Sequence, residues 1–165
     1  MRVAIVVETS FGNTRRAAKA IADGFGEQAE VVLHAADDHW DIAIAGADLL
    51  VLGAPTHTHG LSTADSRALA ASERGAPATG GVRDFLEVLP RGHGRAAAAF
   101  DTRFADHHGP AAADRIAHRL RKLGYHLVLP PKGFLVDDVD GPLSLGQLER
   151  ARVWGAELAR VLQPA

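Results

Sequence analysis

Thr9, Ser10, Gly12, Asn13 and Thr14 stand in one short polar stretch, and a helical pattern begins where it ends. Hydroxyls and backbone N–H groups at a helix N-terminus can hold an anion without a cationic side chain. Gly12 would let the backbone come close to that anion. A Walker loop needs Gly-Lys-Ser/Thr and a dinucleotide fingerprint needs Gly-x-Gly-x-x-Gly; the stretch has neither. The anion expected is a single phosphate. A plain strand-to-helix turn with Thr14 or Asn13 as N-cap would carry the same residues, so the turn alone leaves both readings open.

Two other segments hold the remaining reactive side chains. Pro55, Thr56, His57, His59 and Gly60 follow one apolar run, and Asp101, Thr102, Arg103, His107 and His108 follow another. Imidazole titrates at about pH 6.5, so these histidines could gain charge beside a ligand. Converging with Asp101 or Asp106, they could bind Zn²⁺, Ni²⁺ or Cu²⁺. Solvated loops are the other reading. Asp101 reads equally as a turn cap, and Arg103 as a surface cation or a cation facing a ligand.

The elements that must position these groups alternate in type. Val3 to Val7 is a continuous apolar, β-branched run that ends at Glu8, the pattern of a strand covered on both faces. Ala17, Ala18, Ile21, Ala22 and Phe25 then recur at helical spacing, with Gly24 and Gly26 expected to end that helix. Strands are expected at Val31 to Leu33 and Leu49 to Leu52, with a short helix near Asp41 to Ala45. Helices are expected at Ala64 to Arg74 and Val82 to Leu89. The small-residue run Ala96 to Phe100 reads as a fourth strand. Ala112 to Leu123 reads as a helix ended by Gly124. Tyr125 to Leu129 is a fifth strand, broken by Pro130 and Pro131 and resumed near Phe134 to Val136. Leu145 to Leu162 is the last helix, with Leu148, Val153, Trp154, Leu158 and Leu162 as its apolar face. His34, His93, His118 and His126 are expected in solvent.

Strands alternating with helices give an α/β fold, an open doubly wound parallel sheet of five strands. Ligands of such sheets bind beyond the carboxyl ends of the strands. That places function in three loops: Thr9 to Thr14, Pro55 to Ser62 and Asp101 to Gly109.

Composition sets the outer bounds. The 165 residues are expected to form one domain, residues 1–165. Cysteine is absent, which removes disulfides, thiol catalysis and zinc-thiolate sites and suits a reducing compartment. A net charge of −2 gives no basic excess for nucleic acid. The first apolar run is too short for a signal-peptide core or a membrane span. A cytoplasmic protein that binds neither nucleic acid nor membrane is expected.

Thr9-Ser10-Phe11-Gly12-Asn13-Thr14 resembles the phosphate loop of flavodoxins, with Phe11 where Thr is more usual. Gly53-Ala54-Pro55-Thr56-His57 is similar to the flavodoxin-like loop beside the isoalloxazine. Ala99-Phe100-Asp101-Thr102-Arg103 is similar to the strand-four exit of short flavodoxin-like proteins. The resemblance spans the chain. It implies strand order 2-1-3-4-5, FMN as cofactor, and electron transfer with a redox partner protein, a reductase or an acceptor. It implies that Thr9, Ser10, Gly12, Asn13 and Thr14 hold the phosphate. Pro55, Thr56, His57 and Gly60 would flank the ring. Asp101, Thr102 and Arg103 would meet its pyrimidine edge or the ribityl chain. Flavodoxins usually sandwich the ring between Trp or Tyr. Here the flat groups of the two ring loops are His57, His59, Phe104, His107 and His108, since Trp40, Trp154 and Tyr125 lie elsewhere. The resemblance also admits a flavin-dependent NAD(P)H:quinone reductase, for which Gly75 to Gly81 is a short candidate for an extra loop. A third reading is a flavodoxin-like module without flavin that acts by protein contact.

Overall fold

The computed structural model describes residues 1–37, 42–58, 60–74 and 80–163. Trp40, His59 and most of the Gly75 to Gly81 segment lie outside the described residues. The chain runs β1 (Arg2–Val7), α1 (Asn13–Phe25), a 3₁₀ turn (Gly26–Gln28), β2 (Glu30–Ala35), α2 (Ile42–Ala45) and β3 (Leu49–Pro55). It continues through α3 (Ala64–Arg74), α4 (Val82–Val88), β4 (Ala96–Phe104), α5 (Ala112–Lys122), β5 (His126–Leu127), β6 (Lys132–Val136) and α6 (Gln147–Val161).

The sheet has the order β2-β1-β3-β4-β5, and every pairing in it is parallel. β5 pairs with the start of β4, Ala96 and Ala97, and β6 with its end, Phe100 to Phe104. Together they are one edge strand interrupted at Pro130 and Pro131, which cannot donate to the ladder.

Successive strand residues face opposite sides, so each apolar run feeds two cores. Ala4, Val6, Leu50 and Leu52 pack with Phe85, Leu86, Ile116 and Leu120 on one side. Val3, Ile5, Leu49 and Val51 pack with Ile21, Phe25, Trp154 and Leu158 on the other. There Phe100, Phe134 and Trp154 form an edge-to-face trio with ring centroids 6.0 to 6.2 Å apart.

Several boundaries differ from the sequence reading. β3 and β4 run beyond their apolar cores, to Pro55 and Phe104, because their ladder continues through Ala54↔Asp101 and Pro55↔Thr102. Asp101, Thr102 and Arg103 are therefore strand residues. Gly53 lies within β3 and pairs with Phe100, whose ring lies where a Cβ on Gly53 would project. Gly24 does not end α1. It sits inside the helix against α6, where a Cβ would run into the Arg152 carbonyl and come 2.8 Å from the Ala156 nitrogen. Gly155 makes the reciprocal approach to the Ile21 backbone. Gly26, with φ +54°, is the residue that ends α1. On α6, Leu148 and Val153 are exposed, and the buried face is instead Ala151, Trp154, Gly155, Leu158 and Ala159. His93, His118 and His126 are exposed, whereas His34 has its Nε2 buried, with no hydrogen-bond partner among the described residues.

Candidate functional site at the carboxyl ends of the strands

The first loop is a self-supporting turn. Gly12 adopts φ +89°, and its N–H donates to Thr9 Oγ1 at 2.9 Å. Helix α1 starts at the next residue, with no side-chain cap on its N-terminus and no acidic residue in its first turn. The first N–H groups of a helix have no partner within it, so this end offers donors with no side-chain partner among the described residues, and the positive end of the helix dipole. Asn13 Oδ1 accepts from Arg16 Nη1 at 3.0 Å, and Gly141 packs against its amide. Thr14 is buried, and its hydroxyl meets that of Thr102 at 2.8 Å.

The second loop leaves β3 at Pro55. Thr56 N–H donates to the Thr102 carbonyl at 2.8 Å. His57 and Gly60 then exchange backbone bonds, His57 N–H to Gly60 O at 2.8 Å and Gly60 N–H to His57 O at 3.0 Å. The φ of +96° at Gly60 is one that only glycine adopts without strain. Burial lowers the His57 pKa below its ordinary 6.5, with Arg67 acting in the same direction and Glu8 opposing. Burial therefore favours the neutral ring.

The third group is the end of β4. Asp101 is fully buried. One of its oxygens accepts from Ala113 N–H at 2.9 Å and the other from Arg103 Nε at 2.7 Å. Burial raises its pKa, opposed by those two bonds and by the Thr56 hydroxyl. Thr56 Oγ1 also accepts from Ala112 N–H at 2.9 Å. Thr56 and Asp101 thus accept from the first two N–H groups of α5, while among the described residues no side chain caps α1, in the same region.

These loops surround a cavity of about 480 Å³. Of the residues singled out in the sequence, Thr9, Ser10, Asn13, Thr14, Pro55, Thr56, His57, Thr102 and Arg103 line it. Gly12, Gly60 and Asp101 do not; they shape the turns and hold α5 behind the wall. Among the described loop histidines His57 alone lines the cavity. His107 lies near the Pro110 carbonyl and His108 is exposed. Among the described residues no three metal-ligating side chains converge.

Sequence reasoning missed one wall and one support. Thr63, Ser66, Leu69, Ala70 and Glu73 of the α3 region form a side of the cavity, and Phe11, Phe104, Val136 and Val139 complete it. Behind it Glu8 is buried, accepting from Ser62 Oγ and, at 2.9 Å, from Val82 N–H. The signal for Glu8 was available: a carboxylate directly after five apolar residues, on a strand covered on both faces, must find partners.

No protein-family model matches the sequence, and no curated protein matches it. Solved structures do match in fold over nearly the whole chain. A flavodoxin from the domain Archaea superposes with TM-score 0.69 at 19% identity, covering 99% of this chain and 100% of its own. Oxidised Flavodoxin 2 from Bacillus cereus gives 0.65 at 20%, with 98% and 97% covered. The Flv1 flavodiiron core from Synechocystis sp. PCC6803 gives 0.66 at 18%, over 98% of this chain and 36% of that one. The chain has the flavodoxin fold, with the edge strand split in two. Among the described residues no helix is long and apolar enough to cross a membrane.

Proposed function

We propose that this chain binds FMN in the cavity and carries electrons to or from a partner protein. The observation that supports this most is the contrast between two helix ends. The α5 N-terminus is closed by Thr56 and Asp101. Among the described residues no side chain caps the α1 N-terminus, which lies beside the hydroxyls of Ser10 and Thr14. That donor set fits a phosphate monoester with no lysine or arginine fork. Ser10, Asn13, Thr14 and the first N–H groups of α1 would hold the phosphate. Pro55, Thr56 and His57 on one side and Thr102, Arg103 and Phe104 on the other would flank the ring. When bound, FMN supplies one- or two-electron transfer, and the protein's part is to hold and tune it. Phe11, Phe104, which is 38% exposed, and His57 are flat groups lining the cavity. A cysteine-free chain suits the cytoplasm, where we place it.

Titration with FMN and with riboflavin, followed by flavin fluorescence, tests this reading. FMN should bind much more tightly, because riboflavin lacks the group the α1 loop would hold. Equal affinities, or no binding of either, would refute it.

The α3 wall favours a second reading. Leu61, Leu69 and Ala70 extend the cavity with apolar surface, and Leu69 is 56% exposed. A small apolar acceptor such as a quinone could lie there, making the protein a reductase in its own right. NADPH-dependent quinone turnover by the flavin-loaded protein without a partner would support that reading; its absence would leave the carrier.

A further inference from the structure

Helix α5 runs from the cavity to the amino ends of the strands. Its first N–H groups meet Thr56 and Asp101. Its far end meets the loop that enters β4: the Gly92 N–H donates to the Leu123 carbonyl and the Gly94 N–H to that of Gly124, each at 2.8 Å. Ala113, Ile116, Ala117 and Leu120 turn inward and are buried. On the opposite face Arg115, Arg119, Arg121 and Lys122 are all exposed, with His118 among them. Arg91 and His93 of the adjoining loop, also exposed, continue the basic groups past the end of the helix. At the near end the Arg115 side chain stands 3.2 Å from where a Cβ on Gly60 would lie. From Arg115 to Val136 the chain has five cations and no carboxylate. Asp114 is the one acidic residue of α5. Among the described residues none of Arg115, Arg119, Arg121 and Lys122 takes part in an ion pair.

We propose that this face of α5, with Arg91 and His93 beyond it, docks an acidic surface of another protein. Helix stability does not call for the pattern. Arg115 and Arg119 are four residues apart and Arg119 and Lys122 three, and like charges at those spacings repel. Cations in the last turn gain from the helix dipole, but Arg115 lies toward the N-terminal end, where the dipole opposes a cation. Charge complementarity names the partner. With no carboxylate of the described residues paired to them, these guanidinium groups can take carboxylates of another chain, two bonds at a time. The chain as a whole carries −2, so its other surfaces are net acidic. An acidic partner is therefore drawn to α5 and turned away from the rest, which fixes its orientation. Helix α5 has no aromatic side chain and exposes no large apolar one. It thus lacks both a platform on which bases stack and an apolar face to bury in lipid. A partner lying along α5 reaches the turn between His57 and Leu61, two residues that line the cavity. Only the further step of taking it for the redox partner rests on the flavin reading.

Titration of the full chain, without flavin, with a short oligoglutamate peptide tests the surface, read by NMR of the backbone amides. The amides of α5 and of the loop from Arg91 to Arg95 should shift most, and affinity should fall as salt is added. Replacing two exposed cations together, Arg119→Gln with Lys122→Gln, should weaken binding about fivefold. Lys19→Gln with Arg160→Gln removes the same charge from α1 and α6 and should leave binding nearly unchanged. The α5 variant relieves a like-charge pair, so its thermal midpoint should not fall, which separates lost docking from lost folding. Should it nevertheless fail to fold, Arg91→Gln, outside the helix, is compared with Lys19→Gln in the same way. Equal weakening by the α5 variant and its control overturns the proposal, as do unchanged affinity, shifts centred away from α5, or no binding at low salt. Duplex DNA and vesicles containing phosphatidylserine are titrated in parallel. If either moves the α5 amides at a lower concentration of negative charge than the peptide does, the face serves nucleic acid or lipid and the proposal fails. Failure of FMN to bind would count against the flavin reading alone, since these titrations are made without it.

Discussion

Thr14 and Thr102, 88 positions apart in sequence, share a buried hydrogen bond of 2.8 Å between their hydroxyls. It joins the first turn of α1 to the end of β4, the two sides of the cavity. A lone Val at either position would leave the other hydroxyl buried and unsatisfied, at about 1–3 kcal/mol. Thr14→Val and Thr102→Val should each destabilise by that amount, and the double variant by clearly less than the sum. Urea unfolding of the four proteins measures the coupling, and strict additivity would show that the hydroxyls do not interact.

Gly24 and Gly155 allow α1 and α6 to pack backbone against backbone. Gly24→Ala improves intrinsic helix propensity, yet the added methyl must displace the Arg152 carbonyl. Overpacking of this kind costs about 1–3 kcal/mol or more. The unfolding midpoint should fall. A rise would mean that the helices separate without penalty.

Asp101 should make stability fall as pH rises. Burial raises its folded pKa above the ordinary 3.8, so the folded chain binds its proton more tightly than the unfolded chain. The resulting stabilisation is fully present below 3.8 and is lost as pH rises through the folded value. Asp101→Asn has no such titration. Its unfolding free energy relative to the parent should rise as pH rises from 3.8 through the folded value. Arg103→Gln removes the opposing cation and should carry the window to higher pH. A difference between Asp101→Asn and parent that is flat with pH would refute the assignment.

Trp154, with 2% exposure, completes the aromatic trio with Phe100 and Phe134. Trp154→Ala should cost about 3–5 kcal/mol, and Trp154→Phe considerably less. Chemical unfolding followed by circular dichroism compares them, and equal losses would show that the ring does not fill this core.

The alternation of continuous apolar runs with helical periods was sufficient for a parallel doubly wound sheet, and that architecture located the cavity. Val3 to Val7 and Leu49 to Leu52 could be read because burial on both faces demands unbroken apolar sequence. The turn from Thr9 into α1 could be read because Gly12 and the start of the helical pattern lie within six residues. What tertiary structure decided was which atoms meet. Thr56 and Asp101 close the α5 N-terminus because β3 and β4 bring them there. Gly24 lies inside its helix because α6 comes within backbone contact of it. Glu8, a boundary charge in the sequence, is buried because Ser62 and Val82 come to it from 54 and 74 positions away. Apolar periodicity fixes which face of an element turns inward, whereas hydrogen-bond partners and close approaches depend on how separate elements are registered in space.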